Sequence, residues 1–242
     1  IRREKNGGIV RLPEYLVGDC IGWVPKTVVY YGRDQSKDFD TKSGKVGFST
    51  FGECVQIIDP YTRKIRPSTK EDCGHTGKIV DYFDDLTVME RAVCATDKMP
   101  ESQSIHNLEA LLKNTSKHII IGAGNRESWE TMLRMAHVAA GGKEKFCERP
   151  IITFSACPSS PLTLTKHTCE VIIECAGEGV GLWLTSAVLA GGTGPVTLAG
   201  TIVQHNAEIL SAVALTQLTG KGTPCTYGSS TSIMYLKNAS TA

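Results

Sequence analysis

His118-Ile119-Ile120-Ile121-Gly122-Ala123-Gly124-Asn125 decides how this chain is read. Three isoleucines in a row leave no polar alternation, so the segment reads as a strand covered on both faces, as in a parallel sheet. Gly122 to Asn125 then turn the chain, and a helical pattern follows over 126–140. Outward from this unit the same order recurs. Strand-like segments occupy Leu86–Val93, Ile151–Ala156, Gly181–Val188 and Pro224–Tyr227, and helices are expected near 102–114, 162–177 and 197–218. The five strand starts are 32, 33, 30 and 43 residues apart. A βα unit takes roughly 30 residues and crosses over right-handed. Such a series either opens into a doubly wound sheet or closes as a barrel. No Gly-x-Gly-x-x-Gly follows the first strand, so the dinucleotide version of the open sheet lacks its signature. The loops after the strands are long and rich in Gly and Ser, where a barrel keeps its active site. The fold class expected is therefore α/β, with about five parallel strands of a TIM (β/α)8-type barrel over residues 68–242. Ile1 and Ala242 both read as interior positions of a longer chain, so the remaining strands are expected beyond Ala242.

Residues 1–67 read differently. A short helix starts at Pro13-Glu14-Tyr15-Leu16-Val17 and ends before Pro25. Thr27–Tyr31, Val46–Thr50 and Val55–Ile58 are short and β-branched or aromatic, with a turn at Asp59-Pro60. The region is expected to be a small N-terminal helix and a set of short strands. At the boundary, Ser68-Thr69-Lys70-Glu71 has the form of a capping box for a helix from about Thr69 to Phe83.

Composition removes several classes of function. The formal net charge is +1, with 41% hydrophobic and 21% charged residues, which argues against a broad electrostatic grip on nucleic acid. No apolar run approaches the ~18 residues that span a bilayer. Nine cysteines form no Cys-x-x-Cys pair, so reduced thiols in a cytoplasm are expected. His75, His106, His118, His137 and His167 are scattered, and no metal site is expected.

The candidates for chemistry lie at strand ends. Glu90 and Arg91 interrupt an apolar strand, where an unpaired charge is costly. They are either a structural ion pair with a neighbouring strand or part of a site. Ser155 and Thr185 end later strands, and Tyr227-Gly228-Ser229 ends the last. A ring with a carboxylate is the natural trap for a quaternary ammonium group; Phe51, Glu53 and Glu90 could contribute to one, although composition alone does not single them out. Cys157 is either a nucleophile near a helix start or a loop-packing thiol. Gly191-Gly192-Thr193-Gly194-Pro195 could bind a phosphate through free amides, or let a ligand or partner backbone approach closely. His205, with Asn206 and Glu208, sits on a helix with Leu198, Ile202, Ile209 and Val213, and is either structural or near the mouth. Trp183, mid-strand, reads as core.

Several pieces in one order resemble the trimethylamine methyltransferase family: Cys157-Pro158-Ser159-Ser160-Pro161-Leu162, Gly191 to Thr201, His205-Asn206-Ala207-Glu208 and Tyr227-Gly228-Ser229-Ser230-Thr231. Leu12 to Val17, Tyr31-Gly32-Arg33-Asp34, Phe51-Gly52 and Asn114-Thr115-Ser116-Lys117 agree. The resemblance covers essentially the whole chain. It implies a TIM barrel that moves a methyl group from a methylated amine to the cobalt of a corrinoid (cobalamin) carried by a separate partner protein. Methylamine metabolism and methanogenesis would be its setting. Members with pyrrolysine use trimethylamine, and relatives without it use quaternary amines such as glycine betaine. The family's pyrrolysine position lies beyond the point matching Ala242. The sequence departs from the family at Glu53-Cys54, where small residues often follow Phe-Gly.

On this reading Phe51, Glu53, Glu90, Ser155, Thr185 and Tyr227 are the expected donor-binding residues. Gly191, Gly192, Thr193, His205, Gly228 and Ser229 would form a rim for corrin docking. Catalytic side chains are left unassigned in this segment of an incomplete barrel; Co(I) would be a strong nucleophile, so the protein need not supply its own. The protein is expected to be a homo-oligomer. The alternative is a barrel that binds the corrinoid protein without catalysis.

Overall fold

The computed structural model of the chain describes residues 2, 3 and 8–241. Ile1 and Ala242, the two supposed interior positions, lie outside the described residues. In order come helix α1 (Glu14–Trp23), strand β1 (Phe48–Ser49), α2 (Lys70–Tyr82), β2 (Leu86–Glu90), α3 (Gln103–Asn114), β3 (His118–Ile121), α4 (Arg126–Ala140), α5 (Lys143–Glu148), β4 (Ile152–Ala156), α6 (Lys166–Gly177), β5 (Leu182–Ser186), α7 (Leu198–Thr219) and β6 (Cys225–Ser229). Shorter strands pair Val29–Tyr30 with Phe39–Asp40 and Gln56–Ile58 with Ile65–Pro67. The expected α/β class holds, with parallel strands alternating with helices as in a barrel of the TIM type. The five expected strands and the helices between them are all present. Two compact units divide the chain, Thr27–Ser155 and Ile1–Lys26 with Ala156–Ala242.

In the first unit β1, β2, β3 and β4 run parallel, each beside the next. Glu90 lies beside Ile120, and Ile120 beside Thr153. The opposite face of the strands carries Met89, Ile119, Ile121, Ile152 and Phe154, all buried. Phe154 meets Trp129 of α4 with ring centroids 5.9 Å apart, so this face receives the helices. β1 is a departure. Residues 46–50 were expected among the N-terminal strands, yet Phe48 and Ser49 join the parallel sheet beside β2 through an irregular register.

The helix starts correct the sequence in detail. The capping box exists one residue later than expected: Thr69 accepts from Asp72 N, and Asp72 reaches back to Thr69 N at 2.8 Å. Ser68, fully buried, instead donates to Cys94 O at 2.7 Å. α4 starts at the end of the opening stretch, with Asn125 accepting from Ser128 N at 2.8 Å. α5 was missed. It follows Gly141 and Gly142, both at positive φ, and buries only Phe146, which meets His137 at 4.9 Å. α6 begins at Lys166 rather than Leu162, because Thr165 is its N-cap and the preceding residues form a loop.

His118 is fully buried. Its Nδ1 contacts Tyr31 O at 3.1 Å and its Nε2 contacts Thr153 Oγ1 at 2.9 Å. Burial pushes its pKa down to about 4, against a smaller opposing effect of the Tyr31 carbonyl. A depressed histidine contributes stability that is present above its unfolded value near 6.5 and lost as pH falls through about 4. Denaturation midpoints should fall between pH 6.5 and pH 4 by an amount worth up to about 3 kcal/mol. In His118→Gln that part of the slope should vanish; an unchanged slope would assign the effect elsewhere.

In the second unit β5 and β6 are parallel, from Leu182 beside Cys225 to Ser186 beside Ser229. Leu182, Leu184 and Ser186 are buried on the face toward α7. α1 packs on α7, with Cys20 wholly buried near Ala214 O. Trp183 is half-buried on the other face with Thr185, so it is not the core residue expected. β6 runs on to Ser229, so Gly228 and Ser229 lie in a strand rather than a loop. Among the described residues no helix is long and apolar enough to cross a membrane, and no group of His, Cys, Asp or Glu could hold a metal ion.

Candidate functional site

The first unit gathers charge at the carboxyl ends of its strands. The turn Phe51-Gly52-Glu53-Cys54 is strapped along the continuation of β2. Glu53 N donates to Arg91 O at 3.2 Å and Cys54 N to Ala92 O at 2.9 Å. Glu53 adopts φ 75°, a left-handed conformation that costs a non-glycine residue on the order of 1 kcal/mol or more. The turn brings the Glu53 carboxylate onto Arg91 Nη2 as an ion pair. Arg91 is 7% exposed, and its Nε has no hydrogen-bond partner among the described residues. The structural ion pair weighed for this strand therefore exists, but it uses Arg91 and a turn rather than Glu90 and a neighbouring strand.

Glu90 is left over. Its side chain is half-buried and has no hydrogen-bond or ion-pair partner among the described residues. Burial pushes its carboxyl up to about 7, the Glu53 charge adds to this, and Arg91 opposes it. One row further along the same face, a Cβ on Gly122 would meet Ser155 Oγ at 3.2 Å, Glu53 Oε1 at 3.5 Å and Arg91 Nη2 at 3.9 Å. Glycine thus leaves open the point on which Glu53, Arg91 and Ser155 converge. Phe51, on the same turn, is 65% exposed.

The second unit holds a different cluster, at the ends of β5 and β6 and the start of α7. Glu208 is 1% exposed. Its Oε1 accepts from Leu162 N and Gln204 Nε2, both at 2.9 Å, and its Oε2 from Ser160 Oγ at 2.8 Å and from Ser186 Oγ. Burial alone would raise this carboxyl, but the donors, led by Ser186, hold it below the usual range. The sequence placed Glu208 on the helix without giving it this role.

Three residues earlier on α7, His205 is buried, with Nδ1 3.1 Å from Thr231 Oγ1 and its ring 5.3 Å from that of Tyr227. Its Nε2 is buried without a partner among the described residues. Burial lowers its pKa, against a smaller opposing effect of Glu208. Tyr227 OH donates to Asn206 Oδ1 at 3.1 Å. Thr185 Oγ1, on the opposite face of β5, is buried without a partner among the described residues, and a Cβ on Gly228 would lie 2.6 Å from it.

The glycine-rich loop does not offer the free amides considered for a phosphate. Gly192, Thr193 and Gly194 N all donate to Leu189 O, and Gly191 N donates to Gly194 O. The glycines at 191 and 192 are needed by the chain itself, since added Cβ atoms would lie 3.0 Å from Leu236 Cδ2 and 2.9 Å from Leu189 Cδ2. Thr193 Oγ1 accepts from Leu189 N. Beyond the loop, Val196 (71%), Leu198 (71%) and Val203 (71%) are exposed. Ser229 and Cys157 are exposed as well, the Cys157 thiol lying 3.5 Å from Pro158 O.

Comparison with known proteins agrees with the resemblance drawn from the sequence. The family described as trimethylamine methyltransferase (MTTB) matches residues 4–242. The chain is 43% identical over 230 residues to the trimethylamine methyltransferase MttB of Desulfitobacterium hafniense (strain DSM 10664 / DCB-2), covering 95% of this chain and 46% of that protein. It is 34% identical over 242 residues to the MttB of Methanosarcina barkeri, covering 97% and 48%. It is also 26% identical over 176 residues to a glycine betaine methyltransferase of D. hafniense (strain Y51), covering 72% and 37%. The chain spans about half the length of the MttB relatives it matches.

Proposed function

The chain belongs to the trimethylamine methyltransferase family, and from that premise we propose that the protein transfers a methyl group from a methylated ammonium donor to the reduced corrinoid of a partner protein. The observation that carries this reading is Glu90, a half-buried carboxyl at a strand end that has no counter-ion of its own among the described residues. Arg91 is already taken by Glu53. A carboxylate in a place of low dielectric is stabilised by a cation that comes to it. The relatives' names all specify methylated nitrogen compounds, which as ammonium ions supply that cation.

The corrinoid, when bound, supplies the nucleophile for attack on the methyl carbon. The chain's own residues then have to bind, orient and exclude water. Glu90 and Glu53 hold the positive nitrogen, while Gly122 leaves room for its substituents and Ser155 offers a hydroxyl. In the other unit, the exposed Val196, Leu198, Ile202 and Val203 beside the tight 191–194 turn give an uncharged surface. Such a surface suits the flat, largely apolar face of a corrin ring.

The test mixes the full-length protein with its reduced corrinoid partner and a panel of donors, including trimethylamine and glycine betaine, and follows the cobalt absorption spectrum. A donor-dependent change is expected, and its absence with every methylated amine overturns the reading. Glu90→Ala should reduce kcat/KM for the donor by about ten- to a hundredfold, the worth of one charge-assisted contact. Undiminished transfer by this variant would remove Glu90 from the site.

A further inference from the structure

Glu90 and Glu53 compete for one guanidinium. Arg91 and Glu53 together are neutral, so ionising Glu90 places an uncompensated charge in a half-buried position beside a carboxylate. Two carboxylates that share a site do not both ionise readily. Among the described residues no other group nearby relieves Glu90. On β3 its neighbour is Ile120, followed by Gly122; on β4 the row holds Thr153 and Ser155, none of which carries charge. His118, one step back, uses both ring nitrogens and is held neutral by burial. The Cys94 thiol is pushed up by burial and adds no charge. Arg91 is itself more than nine-tenths buried, and its Nε donor has no acceptor among the described residues, so the cluster is incomplete as it stands.

We propose that Glu90 carries a proton in the free protein and gives it up to solvent when a methylated ammonium ion occupies the space over Gly122, so that donor binding and proton release are one event. This deepens the proposed function and rests on it. The step balances simply: a neutral carboxylic acid and a cation become a carboxylate–cation pair and a released proton. The Glu90 carboxyl, raised to about 7, sets the pH range. Below it the cation must displace the proton, so affinity should rise by up to about tenfold per pH unit. Above it the carboxylate is already formed, and affinity should level off. An enzyme built this way takes up its donor poorly in acid without any change in structure.

Isothermal titration calorimetry on the full-length protein reads this directly, in buffers of differing ionisation enthalpy at pH 6 and pH 8. The probes are trimethylammonium chloride and tetramethylammonium chloride; the second has no proton of its own to lose. Close to one proton should be released per cation bound at pH 6, and few at pH 8, with both probes. Glu90→Gln should abolish the release, whereas Glu53→Gln should lessen it at neutral pH by removing the like charge. Binding without proton release, or release that survives in Glu90→Gln, overturns the coupling and leaves the methyl-transfer reading standing. Failure of both cations to bind overturns the donor class and the coupling together.

Discussion

Glu208→Ala is expected to lower the free energy of unfolding by at least about 3 kcal/mol, the largest effect of any single change at the candidate sites. Four donors converge on this carboxylate, and they come from three places: the loop after β4 through Ser160 and Leu162 N, the end of β5 through Ser186, and α7 itself through Gln204. Ser186 is wholly buried, so its hydroxyl has no water to turn to once the carboxylate is gone. The two serine hydroxyls can rotate and become acceptors, whereas Leu162 N can only donate. Glu208→Gln should therefore cost clearly less than Glu208→Ala, because an amide oxygen can face Leu162 N and Gln204 while its NH2 donates to Ser160 and Ser186. The carboxyl is held below its ordinary value. Its contribution is thus present above the unfolded value and lost as pH falls through the folded one, so the gap between wild type and Glu208→Ala should narrow in acid. Urea denaturation midpoints at pH 7 and pH 4 measure both points. Equal losses for Ala and Gln would show that the loss reflects removed charge rather than orphaned donors.

What the sequence revealed and what it hid follow from how local each signal was. Ile119–Ile121 and Phe154 announce buried parallel strands because both faces must be apolar, and that requirement is written in adjacent residues. Phe48 and Ser49 carry no such mark. They are short and exposed, and their place beside β2 is set by a distant pairing. α5 follows two glycines that normally end a helix, and it is too short for periodicity to show. At the site, Glu90 and Arg91 stood out as charges in an apolar strand. That Arg91 rather than Glu90 would gain a counter-ion depended on Glu53 taking a left-handed turn, which glutamate does not advertise. The loop 191–194 advertised free amides through its glycines, yet those glycines serve a turn closed on Leu189 O. Composition gives the conformational freedom of such a loop but not the direction of its amides. Trp183 was misplaced for a related reason: alternation assigns it a face, and only the three-dimensional packing shows that its face is the less covered one.

Lys117→Met should destabilise the protein by about 2–4 kcal/mol, although methionine matches the length and apolar character of the lysine stem. Lys117 is 2% exposed and spends all three ammonium hydrogens on carbonyls, Val80 O at 2.6 Å, Phe83 O at 2.7 Å and Leu86 O at 2.5 Å. It thereby closes the carboxyl end of α2 and the entry to β2 while standing one residue before β3. The helix end is where carbonyls lack intrahelical partners and where a cation is favoured. Neighbouring contacts fix the same junction, for Asp81 accepts from Thr115 Oγ1 and from Ser116 N. Burial lowers the Lys117 pKa, and nearby Lys37 adds to this against Asp81 and Asp84. The ammonium is therefore held by its three acceptors against a desolvation cost, and methionine would leave those acceptors in place with nothing to bind. Lys113→Met is the matched control. Lys113 is 71% exposed and pairs with Glu109 across one helical turn, an arrangement worth no more than about 0.5 kcal/mol. Midpoints for the two variants in the same denaturant should differ several-fold in their loss. If Lys117→Met lost no more than Lys113→Met, water would have to reach those three carbonyls, and the junction that sets β3, and with it the opening over Gly122, would be held by packing alone.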